Sequence, residues 1–208
     1  MMDFFKYRER LTNTLKITKE NTLNQVFEVF DYIIKNQGTV IFCGNGGSFA
    51  NSLHIAGDYH KTFAKQNASF HAVGENFCSI SAIANDNCFE DAISISINPL
   101  IKKQIPTCVI FLSGSGNSIN LVNALNLINN DIKNAIYLKT ISLSAFGGGE
   151  ISKLADIVLS YDVDDMEIAE DIQLIIFHYL KQKLLERYPY KIENYLKYNK
   201  RIMNGDIA

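Results

Sequence analysis

The sequence predicts an α/β fold in which a parallel sheet is covered on both faces by helices. Three observations carry that expectation. Short continuous apolar runs alternate with helical patterns along the chain, as strands buried on both faces of a doubly wound sheet require. Two of those runs pass directly into glycine-rich turns followed by helix-forming residues, Cys43-Gly44-Asn45-Gly46-Gly47-Ser48 and Leu112-Ser113-Gly114-Ser115-Gly116-Asn117-Ser118. The 208 residues, 47% of them hydrophobic, suffice for one such unit with a sizeable core.

Residues 3–37 carry two helical patterns. In the second, Leu23, Val26, Phe27, Phe30, Ile33 and Ile34 recur at spacings of three and four and give one wide apolar face. Gly38 is expected to end that helix. Beyond it, strands are expected at 39–43, 107–112, 135–141 and 156–160, with a weaker one at 69–73. Helices are expected at 47–64, 77–84, 90–98, 118–130, 148–154 and 164–188. The chain has no internal repeat and no low-complexity segment, so residues 1–208 read as a single unit: N-terminal helices to 37, an α/β core at 38–188 and a tail at 189–208. That tail mixes aromatic and basic residues (Tyr190, Lys191, Tyr195, Lys197, Tyr198, Lys200 and Arg201). Such a mixture could stack on bases; the plainer reading is a segment packed on a neighbouring subunit or left in solvent.

Composition excludes several classes. A formal net charge of −2 argues against a general nucleic-acid binder. No apolar run approaches the ~20 residues of a membrane span, and Met1 to Lys6 lack the apolar core of a signal peptide. Cys43, Cys78, Cys88 and Cys108 form no Cys-x-x-Cys pair, and Cys43 and Cys108 fall in or beside expected strands, where a small apolar thiol is at home. The expectation is a reduced, cytoplasmic protein without nucleic-acid or membrane partners.

Strand, glycine turn and helix in that order make an anion site. Glycines let backbone N–H groups approach a ligand, and the helix N-terminus adds partial positive charge. After the first turn, His54 and Asp58 stand at i and i+4 and share one helix face. In the second turn the hydroxyls of Ser113, Ser115 and Ser118 can donate to phosphate oxygens while Gly114 and Gly116 let the backbone bend. Ser118 could equally serve only as a helix N-cap. The chain has neither Gly-x-x-x-x-Gly-Lys-Ser/Thr nor Gly-x-Gly-x-x-Gly, so nucleotide readings are weak. Two such turns in one parallel sheet point to a phosphorylated ligand at the strands' carboxyl ends.

The last helical pattern opens with acids, which suit a helix N-terminus, and runs on to His178. Glu170 and His178 are eight residues apart, about 80° around a helix of ~3.6 residues per turn, on adjoining edges of one face. Asp171 points elsewhere and Gln173 lies between them. His54, Asp58, Glu170 and His178 together would make a two-imidazole, two-carboxylate set suited to zinc or another first-row divalent metal, if the two helices meet. His60 reads as a surface residue and His71 as a strand-edge residue, neither with comparable partners.

Taken in order, Gly44-Asn45-Gly46-Gly47-Ser48, His54 with an acid four residues later, Ala84-Asn85-Asp86, Ser113-x-Ser115-Gly116-Asn117-Ser118 and the acidic-to-histidine terminal helix resemble a sugar isomerase (SIS) domain of the sedoheptulose 7-phosphate isomerase, or phosphoheptose isomerase, family. The similarity runs from the N-terminal helices to about residue 188. The resemblance implies a flavodoxin-like, five-stranded parallel sheet in a cytoplasmic homotetramer with active sites between subunits. It implies aldose–ketose isomerisation of sedoheptulose 7-phosphate to D-glycero-D-manno-heptose 7-phosphate, an early step toward the heptoses of capsule or lipopolysaccharide. By position, Ser113, Ser115 and Ser118 would hold the phosphate, and Asn45, Gly46, Ser48 and Asp86, with Glu170, would line the sugar site. His54, Asp58, Glu170 and His178 fall where the family's zinc ligands and acid–base groups lie, with His178 as base and Asp58 as its partner.

The chain departs from the family in three places. Asp58 replaces the usual glutamate, Glu170 replaces a glutamine, and Thr62, beside Lys61, stands where an arginine is usual. A carboxylate one methylene shorter shifts a proton-transfer group by roughly an ångström, enough to cost ~10²-fold in rate. These departures leave two rivals to the heptose isomerase: a divergent branch acting on another phosphorylated sugar, and a non-catalytic SIS module that binds a sugar phosphate or a protein partner. A phosphosugar-responsive transcription regulator has no additional DNA-binding segment to support it.

Overall fold

A computed structural model describes residues 3–132 and 135–189. Two helices, α1 (Phe4–Lys16) and α2 (Glu20–Lys35), lead into β1 (Thr39–Cys43), α3 (Gly46–Phe63), β2 (Ser69–Ala72), α4 (Phe77–Asp86) and α5 (Phe89–Ile97). There follow β3 (Thr107–Ser113), α6 (Ile119–Asp131), β4 (Leu138–Ser144), α7 (Ile151–Leu154), β5 (Ile157–Ser160) and α8 (Met166–Arg187). The five strands are parallel in the order β2-β1-β3-β4-β5, the flavodoxin-like arrangement. Because β1 lies between β2 and β3, the chain moves outward to β2 and then crosses back to β3. The gap above the carboxyl ends of β1 and β3 is therefore the topological switch point, where open α/β sheets bind ligands.

Alternate strand residues face opposite sides of the sheet, and two cores result. Val40, Phe42, Cys108, Ile110 and Leu112 pack with α2, α3 and α8, while Ile41, Cys43, Val109 and Phe111 pack with residues of α5 and α6. Both β1 and β3 are buried along their whole length. All four cysteines are free, with Cys43 and Cys108 buried and burial pushing both thiols up. Among the described residues no helix is long and apolar enough to cross a membrane. The aromatic and basic tail after Pro189, read as packed on a neighbouring subunit or left in solvent, lies outside the described residues.

Three expectations are corrected. The fourth strand runs 138–144 rather than 135–141. Tyr137 stacks on Tyr32 with ring centroids 4.2 Å apart, and pairing begins at Thr107 with Leu138. At the other end, the buried hydroxyl residues Ser142 and Ser144 extend the strand. Helix α7 begins at Ile151 instead of 148 because Gly147, Gly148 and Gly149 all have positive φ. Helix α8 begins at Met166 instead of 164, because Asp165 is its N-cap and accepts the Ile168 N–H at 3.1 Å. As expected, α2 stops before Gly38: Gln37 takes the left-handed conformation (φ 53), and the Gly38 N–H closes the turn on the Ile33 carbonyl at 2.8 Å.

The α2 end is also tied to α8 by a buried carboxylate. Asp31 accepts from the Tyr188 hydroxyl at 2.6 Å and pairs with Lys35 at 2.9 Å and Arg187 at 2.7 Å. Burial pushes this carboxyl up, but the Tyr188 hydrogen bond and the two cations outweigh it and hold it below the ordinary range. A folded value below the unfolded one stabilises above the unfolded value, about 4, and that contribution disappears as pH falls through the folded value. Asp31→Asn is therefore expected to cost about 1–3 kcal/mol at pH 7 and progressively less below about pH 4. Urea denaturation of both proteins at pH 7 and pH 3 checks this.

Candidate active site

The turns after β1 and β3 meet at the switch point and enclose a cavity of about 270 Å³. The cavity brings together Asn45, Gly46, Ser48, Ser113, Ser115, Ser118 and Glu170, along with Met166. Asp86 is not among its walls. It is exposed at the end of α4 and accepts from the Asn85 amide at 2.9 Å.

Local hydrogen bonds preshape the serine turn. Ser113 Oγ accepts the Gly116 N–H at 3.0 Å, and Ser115 Oγ accepts the Asn117 N–H at 3.2 Å. A hydroxyl that accepts in this way keeps its own proton to donate to an anion. Ser118 occupies the N-cap position of α6, yet its side chain makes no capping bond, so its hydroxyl is not spent on the helix. Gly116 has φ +68, and a Cβ there would lie 1.9 Å from the Gly148 carbonyl oxygen. The Asn45 and Asn120 amides exchange hydrogen bonds of 2.9 Å, which lock the first turn to the helix that follows the second.

A buried polar contact then ties α3 to α8. Gln173, fully buried, donates to Ser48 Oγ at 2.9 Å and accepts from Asn51 at 2.9 Å. Asn51 also donates to the Glu170 carbonyl at 2.9 Å. This pair sets how Ser48 and Glu170 face the cavity, and the sequence signalled it only as Gln173 lying between Glu170 and His178. The Glu170 carboxylate rests on the first turn of α3, where a Cβ on Gly47 would lie 2.2 Å from its oxygens. That location suits an anion because the α3 amides and dipole point toward it.

About two turns further along α3, a second group assembles against α8. His54 Nε2 and His178 Nε2 are 3.1 Å apart, and Asp58 Oδ2 lies 4.0 Å from His178 Nε2. Among the described residues, His54, Asp58 and His178 form a group whose potential metal-ligating atoms all lie within 4.8 Å of one another. Glu170 is not in that group, which corrects the expected four-residue set. Eight residues separate it from His178, about 12 Å along a helix rising 1.5 Å per residue, and its carboxylate belongs to the cavity.

The sequence reading passed over Lys181, whose ammonium hydrogen-bonds Asp58 Oδ2. Its spacing of i+3 from His178 on one helix face was the available signal. Burial pushes the Asp58 carboxyl up, but Lys181, with His54 and His178, outweighs burial and holds it below the ordinary range. Burial, together with His54 and Lys181, lowers His178 against the opposing pull of Asp58. Asp58 is thus an ionised carboxylate and His178 a neutral imidazole near neutral pH. Of the other histidines, His60 is exposed, whereas His71 on edge strand β2 does have a partner, Glu75, at 2.9 Å.

The donor set suits a divalent ion. Zinc takes nitrogen and oxygen ligands at about 2.0–2.2 Å in a tetrahedron, whose edges are then roughly 3.3 Å, and the two imidazole nitrogens already stand at 3.1 Å. Asp58 Oδ2 stands 4.0 Å from the His178 nitrogen.

Sheet order and the two glycine-rich turns define a doubly wound, flavodoxin-like α/β domain with a ligand cavity at its switch point. Over most of its length the chain is homologous to phosphoheptose isomerases. It is 27% identical over 181 residues to the phosphoheptose isomerase of Helicobacter pylori, covering 86% of this chain and 90% of the relative. It is 28% identical over 166 residues to phosphoheptose isomerase 1 of Campylobacter jejuni, covering 79% and 86%. The solved structure of phosphoheptose isomerase GmhA from Neisseria gonorrhoeae superposes with a TM-score of 0.72 at 23% identity, over 85% of this chain and 91% of that one. No family model matches the chain.

The uncommitted Ser118 hydroxyl generates a clear expectation. Ser118→Ala should leave stability within about 0.5 kcal/mol of the parent while weakening binding of a phosphorylated sugar, measured by calorimetry. A stability loss near 1 kcal/mol with unchanged binding would mark Ser118 as a cap instead.

Proposed function

We propose that the chain isomerises sedoheptulose 7-phosphate to D-glycero-D-manno-heptose 7-phosphate. The observation that carries this reading is a phosphate-type cradle at the turns after β1 and β3, with a histidine–carboxylate group about two turns further along α3, where it packs on α8. In a seven-carbon ketose phosphorylated at C7, the phosphate and the reacting carbons C1 and C2 lie at opposite ends of the chain. With the phosphate on Ser113, Ser115 and Ser118, those carbons extend toward His54, Asp58 and His178. Asn45, Ser48 and Glu170 offer hydrogen bonds to the hydroxyls between. Asp86 enters this reading by resemblance alone.

The neutral imidazole of His178 removes a proton from C1, and the electrons move to form an enediol with C2. His178 then returns a proton to C2, and Asp58 carries a proton between the two oxygens. Lys181 holds the Asp58 carboxylate in its ionised form beside His178. His54 and Asp58 would hold a zinc or similar ion, joined by His178 only when its nitrogen is not acting as the base, and that ion would supply polarisation of the substrate oxygens. A cytoplasmic homotetramer serving capsule or lipopolysaccharide heptose synthesis completes the reading, on the strength of the family resemblance.

Purified protein supplied with zinc is expected to convert sedoheptulose 7-phosphate to the aldoheptose phosphate, followed by anion-exchange chromatography. His178→Ala should lower kcat by about 10²–10⁴-fold without loss of folded protein. Near-parental turnover in that variant would overturn the assignment of the base, and no turnover by the folded parent would overturn the substrate.

A further inference from the structure

We propose that Lys181 competes with a divalent cation for Asp58, so that metal binding at His54, Asp58 and His178 must displace its ammonium. The proposal rests on reading those three residues as a metal site. Both contacts of Asp58 in this group use the same oxygen. Oδ2 faces His178 Nε2 at 4.0 Å and also accepts from Lys181 Nζ. That oxygen is the one turned toward the 3.1 Å pair of imidazole nitrogens, so it is the one a shared cation would use.

Lys181 is built into the site rather than draped over it. Its side chain is only 20% exposed, and it sits one turn beyond His178 on the same face of α8. A divalent ion on Oδ2 would either leave the ammonium at short range from a second cation or force it off the carboxylate. Either outcome raises the free energy of the loaded site relative to one without the lysine. The same ammonium neutralises Asp58, whose Oδ2 stays beside His178. The consequence is a weak, exchangeable metal site.

Zinc affinity of the full chain, measured by competition with a chromophoric chelator at one pH, tests this without reference to turnover. Lys181→Met and Lys181→Gln are each expected to bind zinc about tenfold or more tightly than the parent, the scale of change that groups contacting metal ligands impose. Lys181→Arg should stay near the parent. Adding His178→Ala to Lys181→Met should abolish the gain. Damage to the fold would weaken binding, so tightening is not a structural side effect. Equal or weaker zinc binding by both neutral variants overturns the proposal while leaving the metal site intact. Zinc binding by none of the proteins overturns the proposal and the metal site together, and turnover of the heptose phosphate is then judged separately.

Discussion

The packing of α3 against α8 is the constraint on which the rest of the site depends. Tyr59, 1% exposed, donates its hydroxyl to the Phe177 carbonyl at 2.7 Å. Its ring meets Phe30 at 5.4 Å, and Phe177 meets Phe42 at 5.4 Å. One aromatic cluster thus joins α2, β1, α3 and α8 by a large apolar burial and a satisfied buried hydroxyl. Asp58 immediately precedes Tyr59, and His178 immediately follows Phe177. The hydrophobic contact therefore sets the separation of the polar pair beside it. The buried Gln173–Asn51–Ser48 contact does the same two turns away.

Charge is distributed along this helix pair in a consistent way. At the switch point, hydroxyls, backbone amides and the start of α3 favour an anion, with the Glu170 carboxylate resting against that turn. At the distal end, two imidazoles and an acid converge, with a lysine on the acid. The carboxylate of Asp58 on α3 is met by Lys181 reaching across from α8. α1 supports the entry to α8: Tyr7 donates to Asp171 at 2.7 Å and Arg10 pairs with the cap residue Asp165 at 2.7 Å.

Strand and helix periodicity were legible where burial is uniform. β1 was read with its observed bounds, and β3 and β5 to within a residue, because their strands are short apolar runs. β4 was displaced because its carboxyl end is built from buried serines, which a hydrophobic pattern treats as loop, whereas Tyr137, which looks like strand, is used for stacking on Tyr32. The serine turn and the His54–Asp58 pair were legible because their geometry is local: a turn, or one helical repeat. Glu170 was assigned to both the sugar site and the metal set. Choosing between them required the axial rise along α8 and its contact with Gly47 on another helix.

The sequence by itself determined the parallel α/β architecture, the two glycine-rich strand-to-helix turns and the residue types of the histidine–carboxylate group, since each follows from spacing within a single element. Only the tertiary structure decided that α3 and α8 meet, that Glu170 faces the cavity while His54, Asp58 and His178 converge elsewhere, and that Lys181 holds Asp58. Those outcomes depend on helices more than a hundred residues apart being aligned by the aromatic core between them. Local periodicity does not encode that alignment.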